Sequence, residues 1–481
     1  MSLHAELAIV GGGPAGIAAA VTADQAGVDV VLVDAGSRPG GQYFKQEPAF
    51  RRAQGAAQLL IGRQALSKRR KAQTAALQAL ASSRARVLSD TLVWGAFPAE
   101  GGAGWELALY GPEAPRRLVA RTLILATGAY DRPIPFPGWT LPGVMTAGGI
   151  QAFLKGQGVL PGRRFLLSGT GPLQIAVAAG LIEAGAEVVA VLEGARLGWR
   201  AARHAAALWG QWDRLAEAWD YGRTLRAARV PMRLGWAVVA AHGKDQVEEA
   251  VICRVDDAWR PIRGSAQTVA VDAIGIGFGL MPSTELARLL GCAHDFEPGR
   301  GGYVPRRDAL MQTSMPGVYA VGDGAGIGGA AMAQVEGRIA ALAAAQRLGK
   351  LSERAAQAAI LREQAGLARE RRFAALLGAL FTPGPGLYSL ADDDTLICRC
   401  EEVTLGEIRG AIREGAADAS AVKGLTRAGM GNCQGRICGE LVARIIAAET
   451  AGNPCDLAAI RAAGAFTARP PIHPLPLEVL A

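Results

Sequence analysis

No stretch of the sequence approaches the roughly 20 consecutive apolar residues of a membrane-spanning helix, and aromatic residues make up only 6% of its 481 positions. The chain enters a strand-like stretch almost at its first residue, with no basic n-region and no cleavage site, so no secretory signal is expected. Histidine is sparse: His4, His204, His242, His294 and His473 are scattered, and none falls in a motif described below. Basic stripes interleaved with aromatics are missing too, which excludes nucleic acid as a partner class despite a net charge of +8. The densest basic run, Arg63, Lys68, Arg69, Arg70 and Lys71, reads either as a solvated helix end or as a docking face for an acidic electron-transfer partner. There are seven cysteines, an odd number, and four of them crowd into a C-terminal stretch. In a chain without an export signal this speaks for metal or redox chemistry rather than a disulfide framework. The expected location is cytoplasmic, with contact to the inner membrane only through partners.

What is present is organised around residues 7–25. An apolar strand, Leu7-Ala8-Ile9-Val10, runs into Gly11-Gly12-Gly13-Pro14-Ala15-Gly16 and then an Ala-rich helix. Gly11 allows the tight turn, Gly13 lets backbone approach a pyrophosphate, and Gly16 lets the helix pack on the strand. Pro14 and Ala15 open the helix, whose first N–H groups point at the phosphates. The next strand, residues 28–33, ends in Asp34, a carboxylate placed for the hydroxyls of an adenosine ribose. Gly40-Gly41-Gln42 continues the loop under the flavin side of a dinucleotide.

Further along, residues 50–83 read as a polar helix, and residues 87–94 and 105–110 as strands. Leu123-Ile124-Leu125-Ala126-Thr127-Gly128 is an apolar strand ending in a small-residue turn, similar to a second fingerprint of flavoproteins with two dinucleotide-binding domains. A second nucleotide-type unit starts at Phe165, with Gly169-Thr170-Gly171 as its turn and a second strand ending in Glu193. Gln174 stands where the third glycine belongs, and its side chain is expected to hold the helix off the strand, which argues against a nicotinamide cofactor. The following segment carries Trp199, Trp209, Trp212 and Trp219. The last three share a helical face, which packs either into the core or into a subunit interface. Residues 272–279 read as a strand with a Gly-rich end, and residues 313–324 as a strand leading to Gly322-Asp323, with a helix from about Ala330. In flavoproteins of this kind such an Asp hydrogen-bonds the ribityl chain. Three fingerprints in this order predict FAD. Disulfide reductases of this build carry a redox Cys pair, whereas Cys253 and Cys292 are isolated here.

Beyond a helical stretch over residues 351–378 and a Pro-Gly-Pro-Gly linker lie Cys398-Arg399-Cys400 and, after 32 intervening residues, Cys433-Gln434-Gly435-Arg436-Ile437-Cys438. Four thiolates in two close pairs suit tetrahedral zinc or a [2Fe–2S] cluster. Gly429, Gly431 and Gly435 would let backbone N–H groups reach the sulfurs. Cys455 reads as a small buried residue.

These flanking residues resemble the [2Fe–2S] domain of bacterioferritin-associated ferredoxin, whose second cysteine pair is closer together than here. The resemblance implies Cys398, Cys400, Cys433 and Cys438 as cluster ligands. Over residues 5–450 the chain resembles the larger FAD-binding component of heteromeric amino-acid and opine dehydrogenases. That group includes the corresponding components of octopine and nopaline oxidases, of hydrogen cyanide synthase, and of hydroxyproline and proline dehydrogenases, together with part of the heterotetrameric sarcosine oxidase. It implies an α/β fold of the glutathione-reductase-like, two-dinucleotide-binding-domain type (Rossmann-type), with a small helical [2Fe–2S] domain at the C-terminus. The expected divisions are 1–146 (FAD, first part), 147–285 (inserted nucleotide-type domain), 286–345 (FAD, second part), 346–390 (helical linker), 391–455 (cluster) and 456–481 (tail). The implied FAD contacts are Gly11, Gly13, Pro14, Ala15, Gly16, Asp34, Gly41, Gln42, Ala126, Thr127, Gly128, Gly322 and Asp323. The implied partners are two. One is a β subunit with the build of D-amino-acid oxidase, carrying its own FAD and oxidising a C–N bond; the other is a small ferredoxin-like [2Fe–2S] γ subunit. An FMN at the subunit interface also occurs in the wider family, with no ligands identifiable in this sequence. No catalytic acid or base is assigned. Lys45, Tyr130, Asp131 and Arg132 follow the FAD motifs and read as loop hydrogen-bonding groups or flavin neighbours. The competing readings are a self-contained NAD(P)H-dependent flavin and iron–sulfur reductase, for which Glu193 speaks, and a non-enzymatic carrier with a structural flavin.

Overall fold

The computed structural model describes residues 2–46, 65–102, 104–196 and 205–479. Alternating apolar strands and Ala-rich helices build two sheets, one mixed and one parallel, because parallel strands buried on both faces must be covered by helices. In the first sheet Ser2–Val10 lies between Val30–Val33 and Arg117–Leu125, all parallel. Arg86–Leu88 forms one edge, while Val318–Ala320 joins Arg117–Leu125 in parallel. An antiparallel pair, Trp105–Tyr110 and Leu92–Pro98, completes it. The helices Pro14–Gln25 and Ala330–Arg347 pack together on one face, over a core containing Ile9, Ile17, Ile124 and Ile339. Their close approach needs Gly337, where a Cβ would strike the Ala15 carbonyl.

The second sheet orders Met232–Leu234, Glu187–Glu193, Arg164–Gly169, Ala273–Gly277 and Val144–Thr146, all parallel. A three-stranded antiparallel meander, Trp236–His242, Glu249–Arg254 and Gln267–Ala270, packs beside it. The chain crosses between the two nucleotide-type units on a short antiparallel pair, Ala129–Asp131 with Leu280–Pro282. The C-terminal helices Leu405–Arg413, Ala419–Thr426 and Gly439–Ala451 enclose a core of their own, with Cys398 and Cys438 buried in it. A capping box of Thr404 and Glu407 starts the first of them.

Several local expectations meet the structure differently. The helix within 50–83 spans Ala65–Ala81; residues 47–64 lie outside the described residues. Of the basic run, Arg63 lies outside them as well, and Lys71 is exposed. The Pro-Gly linker is packed rather than free: Gly386 N–H donates to the Ala258 carbonyl at 2.8 Å, and Leu387 is fully buried. Cys455 is half-buried, its sulfur 3.5 Å from the Arg444 guanidinium. The core reading of the tryptophans fails. Trp209, Trp212 and Trp219 are 79%, 61% and 68% exposed, because the helix Trp212–Ala227 turns Leu225 inward instead. Trp199 lies outside the described residues.

Candidate functional site

The first turn is a cradle. Gly11 sits at φ +108°, and a Cβ there would strike the Ala126 carbonyl, so only glycine closes the turn against the neighbouring strand. A Cβ on Gly16 would strike the Gly11 carbonyl, whereas nothing lies within 4 Å of the position a Cβ would take on Gly13. The turn therefore presents open backbone at the start of the helix, with Pro14 in its first turn and Ala15 buried. Asp34 accepts hydrogen bonds from the N–H groups of Gly12 and Gly36 and remains half-buried. Burial pushes its carboxyl up, opposed by those two bonds. Gly41 lies against Gly13, and Gln42 is exposed and accepts from Lys45 Nζ at 3.3 Å.

Ala126, Thr127 and Gly128 end the central strand beside this turn, and Thr127 Oγ1 donates to the Ser283 carbonyl at 2.7 Å. Gly322 and Asp323 begin a short 3-10 turn ahead of the helix Ala330–Arg347. One Asp323 carboxylate oxygen accepts from Gly328 and Gly329 at 2.9 and 3.0 Å, and burial pushes this carboxyl up. The fold thus brings together, around one open cradle, all three fingerprints that the sequence marks. An open anion-binding turn, a half-buried ribose-type acid and a second carboxyl fit a dinucleotide such as FAD.

The second unit has the same parts in a different state. Gln174 is buried, with its side chain tucked between helix and strands: Nε2 donates to the Gly277 carbonyl at 3.3 Å. A Cβ on Gly277 would lie 3.2 Å from Gln174 Cγ, so the side chain fills the space that a third glycine would leave. Glu193 is 4% exposed, and its two oxygens accept from Gly171 and Ala195, each at 2.8 Å. The indole of Trp259 stands directly on Gly194, the residue after this acid. Phe381, at the end of the helix Glu353–Phe381, lies 3.8 Å from where a Cβ of Gly171 would be. The chain's own aromatics, Trp259 and Phe381, therefore pack around the turn and acid of this second unit.

In the C-terminal part the four cysteines meet in two pairs across the loops, Cys398 with Cys438 and Cys400 with Cys433. Cys398 and Cys438 are buried, Cys433 is half-buried and Cys400 is exposed. The contact with Cys438 and the nearby backbone N–H groups lower the Cys398 thiol to about 5. Gly429 N–H reaches its sulfur at 3.4 Å, as expected. Gly431 and Gly435 serve close packing instead: a Cβ would strike Cys400 and the Phe466 ring respectively. Among the described residues no group of three or more His, Cys, Asp or Glu surrounds a single metal position. Two thiol pairs, one of them buried, match the donor set of a two-iron cluster.

The polar residues after the Ala126–Gly128 fingerprint point toward this part. Tyr130 Oη accepts from Arg436 Nε at 2.8 Å, and Arg132 pairs with Glu440, their side chains 6% and 7% exposed. Asp131 turns the other way, accepting from Thr146 Oγ1 at 2.8 Å and Gly148 N–H at 3.3 Å. Lys45 lies against Gly156. Sequence reasoning missed Trp139, Trp259, Phe381, Arg399, Arg436 and Glu440. An arginine enclosed in each cysteine pair was the legible signal.

A two-unit nucleotide-binding oxidoreductase fused to a four-cysteine domain is the class that fold and site define. Residues 5–349 match the model of the pyridine nucleotide-disulphide oxidoreductase family, and residues 396–448 that of the BFD-like [2Fe-2S] binding domain. The chain belongs to this flavin oxidoreductase family and carries that domain; the two imply FAD and a [2Fe–2S] cluster respectively. It is 35% identical to the A subunit of opine oxidase from Rhizobium meliloti (strain 1021), over 98% of this chain and 97% of the relative. To the HcnB subunit of hydrogen cyanide synthase from Pseudomonas aeruginosa it is 36% identical, over 89% and 90%. The alpha subunit of sarcosine oxidase from Rhizobium meliloti is 28% identical over 99% of this chain but 42% of its own length. Among solved structures, L-proline dehydrogenase from P. horikoshii has the same fold, with a TM-score of 0.72 at 20% identity over 100% of this chain and 80% of the other. The opine oxidase, hydrogen cyanide synthase and sarcosine oxidase relatives are subunits of multisubunit enzymes. No helix among the described residues is long and apolar enough to cross a membrane.

Proposed function

We propose that this chain is the FAD- and [2Fe–2S]-carrying electron-transfer subunit of a multisubunit dehydrogenase or oxidase. The C–N bond of an amino acid, an imino acid of the proline or hydroxyproline type, or an opine is oxidised on a partner flavoprotein with the build of D-amino-acid oxidase. In this reading Gly11, Gly13, Pro14, Ala15, Gly16, Asp34, Gly41, Gln42, Ala126, Thr127, Gly128, Gly322 and Asp323 hold the FAD. Cys398, Cys400, Cys433 and Cys438 hold the cluster. An interface FMN and a small ferredoxin-like γ subunit complete the assembly, which works in the cytoplasm. Bound flavin would exchange electrons in pairs or singly and the cluster singly; the chain's residues hold them in place.

The observation that carries this reading is the contrast between the two units. The cradle at Gly13 is open, while the place beside Glu193 is filled by Trp259 and the turn at Gly171 is shadowed by Phe381. In this reading a crowded second unit disfavours a nicotinamide cofactor as the electron source, and a partner protein supplies the electrons instead. The same contrast speaks against the self-contained NAD(P)H reductase, and the name of the opine oxidase relative supports the opine class. An anaerobic visible spectrum of the isolated chain tests it. The flavin should stay oxidised with NADH or NADPH and bleach with dithionite; bleaching by either nicotinamide would establish the reductase instead.

A further inference from the structure

The longer second cysteine pair has a structural use. Between Cys433 and Cys438, Arg436 reaches out of the loop: Nε donates to Tyr130 Oη at 2.8 Å, and one terminal nitrogen holds the Cys433 carbonyl at 3.2 Å. Its neighbour Ile437 packs on the apolar core of the second unit, which contains Phe136 and Trp139. The first cysteine pair does the same with its own enclosed residue. The Arg399 guanidinium lies 5.3 Å from the centre of the Trp139 ring, and Trp139 Nε1 donates to the Leu396 carbonyl at 2.7 Å. A third tie is the buried pair of Arg132 and Glu440, two residues past Cys438. Arg132 also donates to the Gly301 carbonyl at 3.0 Å, and Arg444 braces Glu440 at 2.8 Å. All three ties end on residues 130–139, the segment that leaves the fingerprint turn at Gly128.

We propose that residues 130–139 are a fixed dock for the cluster loops, with Arg436 seated on Tyr130 and Arg399 on Trp139 as positioning residues that set the placement of cluster against flavin. This rests on the proposed function above. With both groups bound, Arg436 and Arg399 would hold the cluster for transfer of a single electron between it and the flavin, one losing the electron that the other gains. A planar guanidinium suits this task, since its fork fixes direction as well as charge. The Arg132–Glu440 pair is buried on both sides and the Arg436 side chain is 7% exposed, so the cluster domain is held rather than swinging between partners.

The test uses the full chain loaded with both groups, and the variants Tyr130→Phe, Arg436→Met and their combination. Flash reduction of the flavin by a photoreduced deazaflavin gives the flavin-to-cluster transfer rate. Iron content, the cluster's paramagnetic resonance signal and its midpoint potential are read on the same samples. Tyr130→Phe, which changes no charge and lies outside the cysteine loops, should slow transfer on the order of tenfold with full iron and an unchanged resonance signal. Arg436→Met should slow it similarly and also lower the midpoint potential. The double variant should be no slower than the slower single one, because one contact is lost only once. Transfer within about twofold of the parent in Tyr130→Phe would overturn the dock, as would effects that multiply in the double variant. A parent chain with no reducible flavin or no iron–sulfur signal would instead overturn the proposed function, and the dock with it.

Discussion

At the scale of single residues, two carboxylates at equivalent places tell the two units apart. Asp34 and Glu193 each end the second strand of a nucleotide-type unit, and each accepts two backbone N–H groups. Asp34 keeps part of its surface in reach of a ligand, whereas Glu193 is closed over. The expected consequence is that Asp34→Ala weakens FAD binding by about 2 kcal/mol, roughly thirtyfold, with the fold retained. Flavin absorbance per protein in the purified variant measures this; full occupancy would remove Asp34 from the ribose role. Glu193 behaves in the opposite way. Its position in the sequence suits a ribose acid, but it is 4% exposed.

Among the elements, the helix Trp212–Ala227 separates pattern from packing. Its tryptophans share a face, as their spacing predicts, yet that face is turned outward. Trp209 stands before the helix and meets Trp212 edge-on, with ring centroids 5.6 Å apart. Periodicity reports which residues share a face, not what covers it. Trp212→Ser and Trp219→Ser are therefore expected to change unfolding stability by less than about 0.5 kcal/mol, as exposed substitutions do. Trp259→Ala, on a side chain 7% exposed, should cost about 3 kcal/mol in the same urea titration. Equal losses at all three positions would contradict the outward placement.

On the whole-molecule scale, the half-buried histidine His294 couples folding to pH. Burial lowers it from 6.5 to about 4, and the adjoining Arg288 adds to that, while its Nδ1 hydrogen-bonds the Cys292 carbonyl at 2.7 Å. The folded chain holds it neutral where the unfolded chain protonates it. Its contribution to stability is thus complete above pH 6.5 and is lost as pH falls toward 4. The loss amounts to at most about 3 kcal/mol. Urea midpoints measured between pH 7 and 4 should fall, and fall less in His294→Gln; parallel curves for the two would exclude this histidine as the source.

Much of this molecule was legible in the sequence because it depends on local rules. A strand, a glycine turn and a helix N-terminus in succession specify a nucleotide cradle, and paired cysteines specify soft-metal chemistry, since both depend on backbone shape and donor type within a few residues. The order of the three fingerprints likewise announced the sheet that unites them. What lay beyond reach were contacts between residues far apart in the chain. Only the folded structure placed Trp259 on Gly194 and Phe381 beside Gly171. Only it joined Tyr130 to Arg436 across 306 positions and Arg132 to Glu440 across 308. Spacing along the chain carries no information about which distant side chain fills a space, and that filling set how Trp259, Phe381 and the cysteine loops pack.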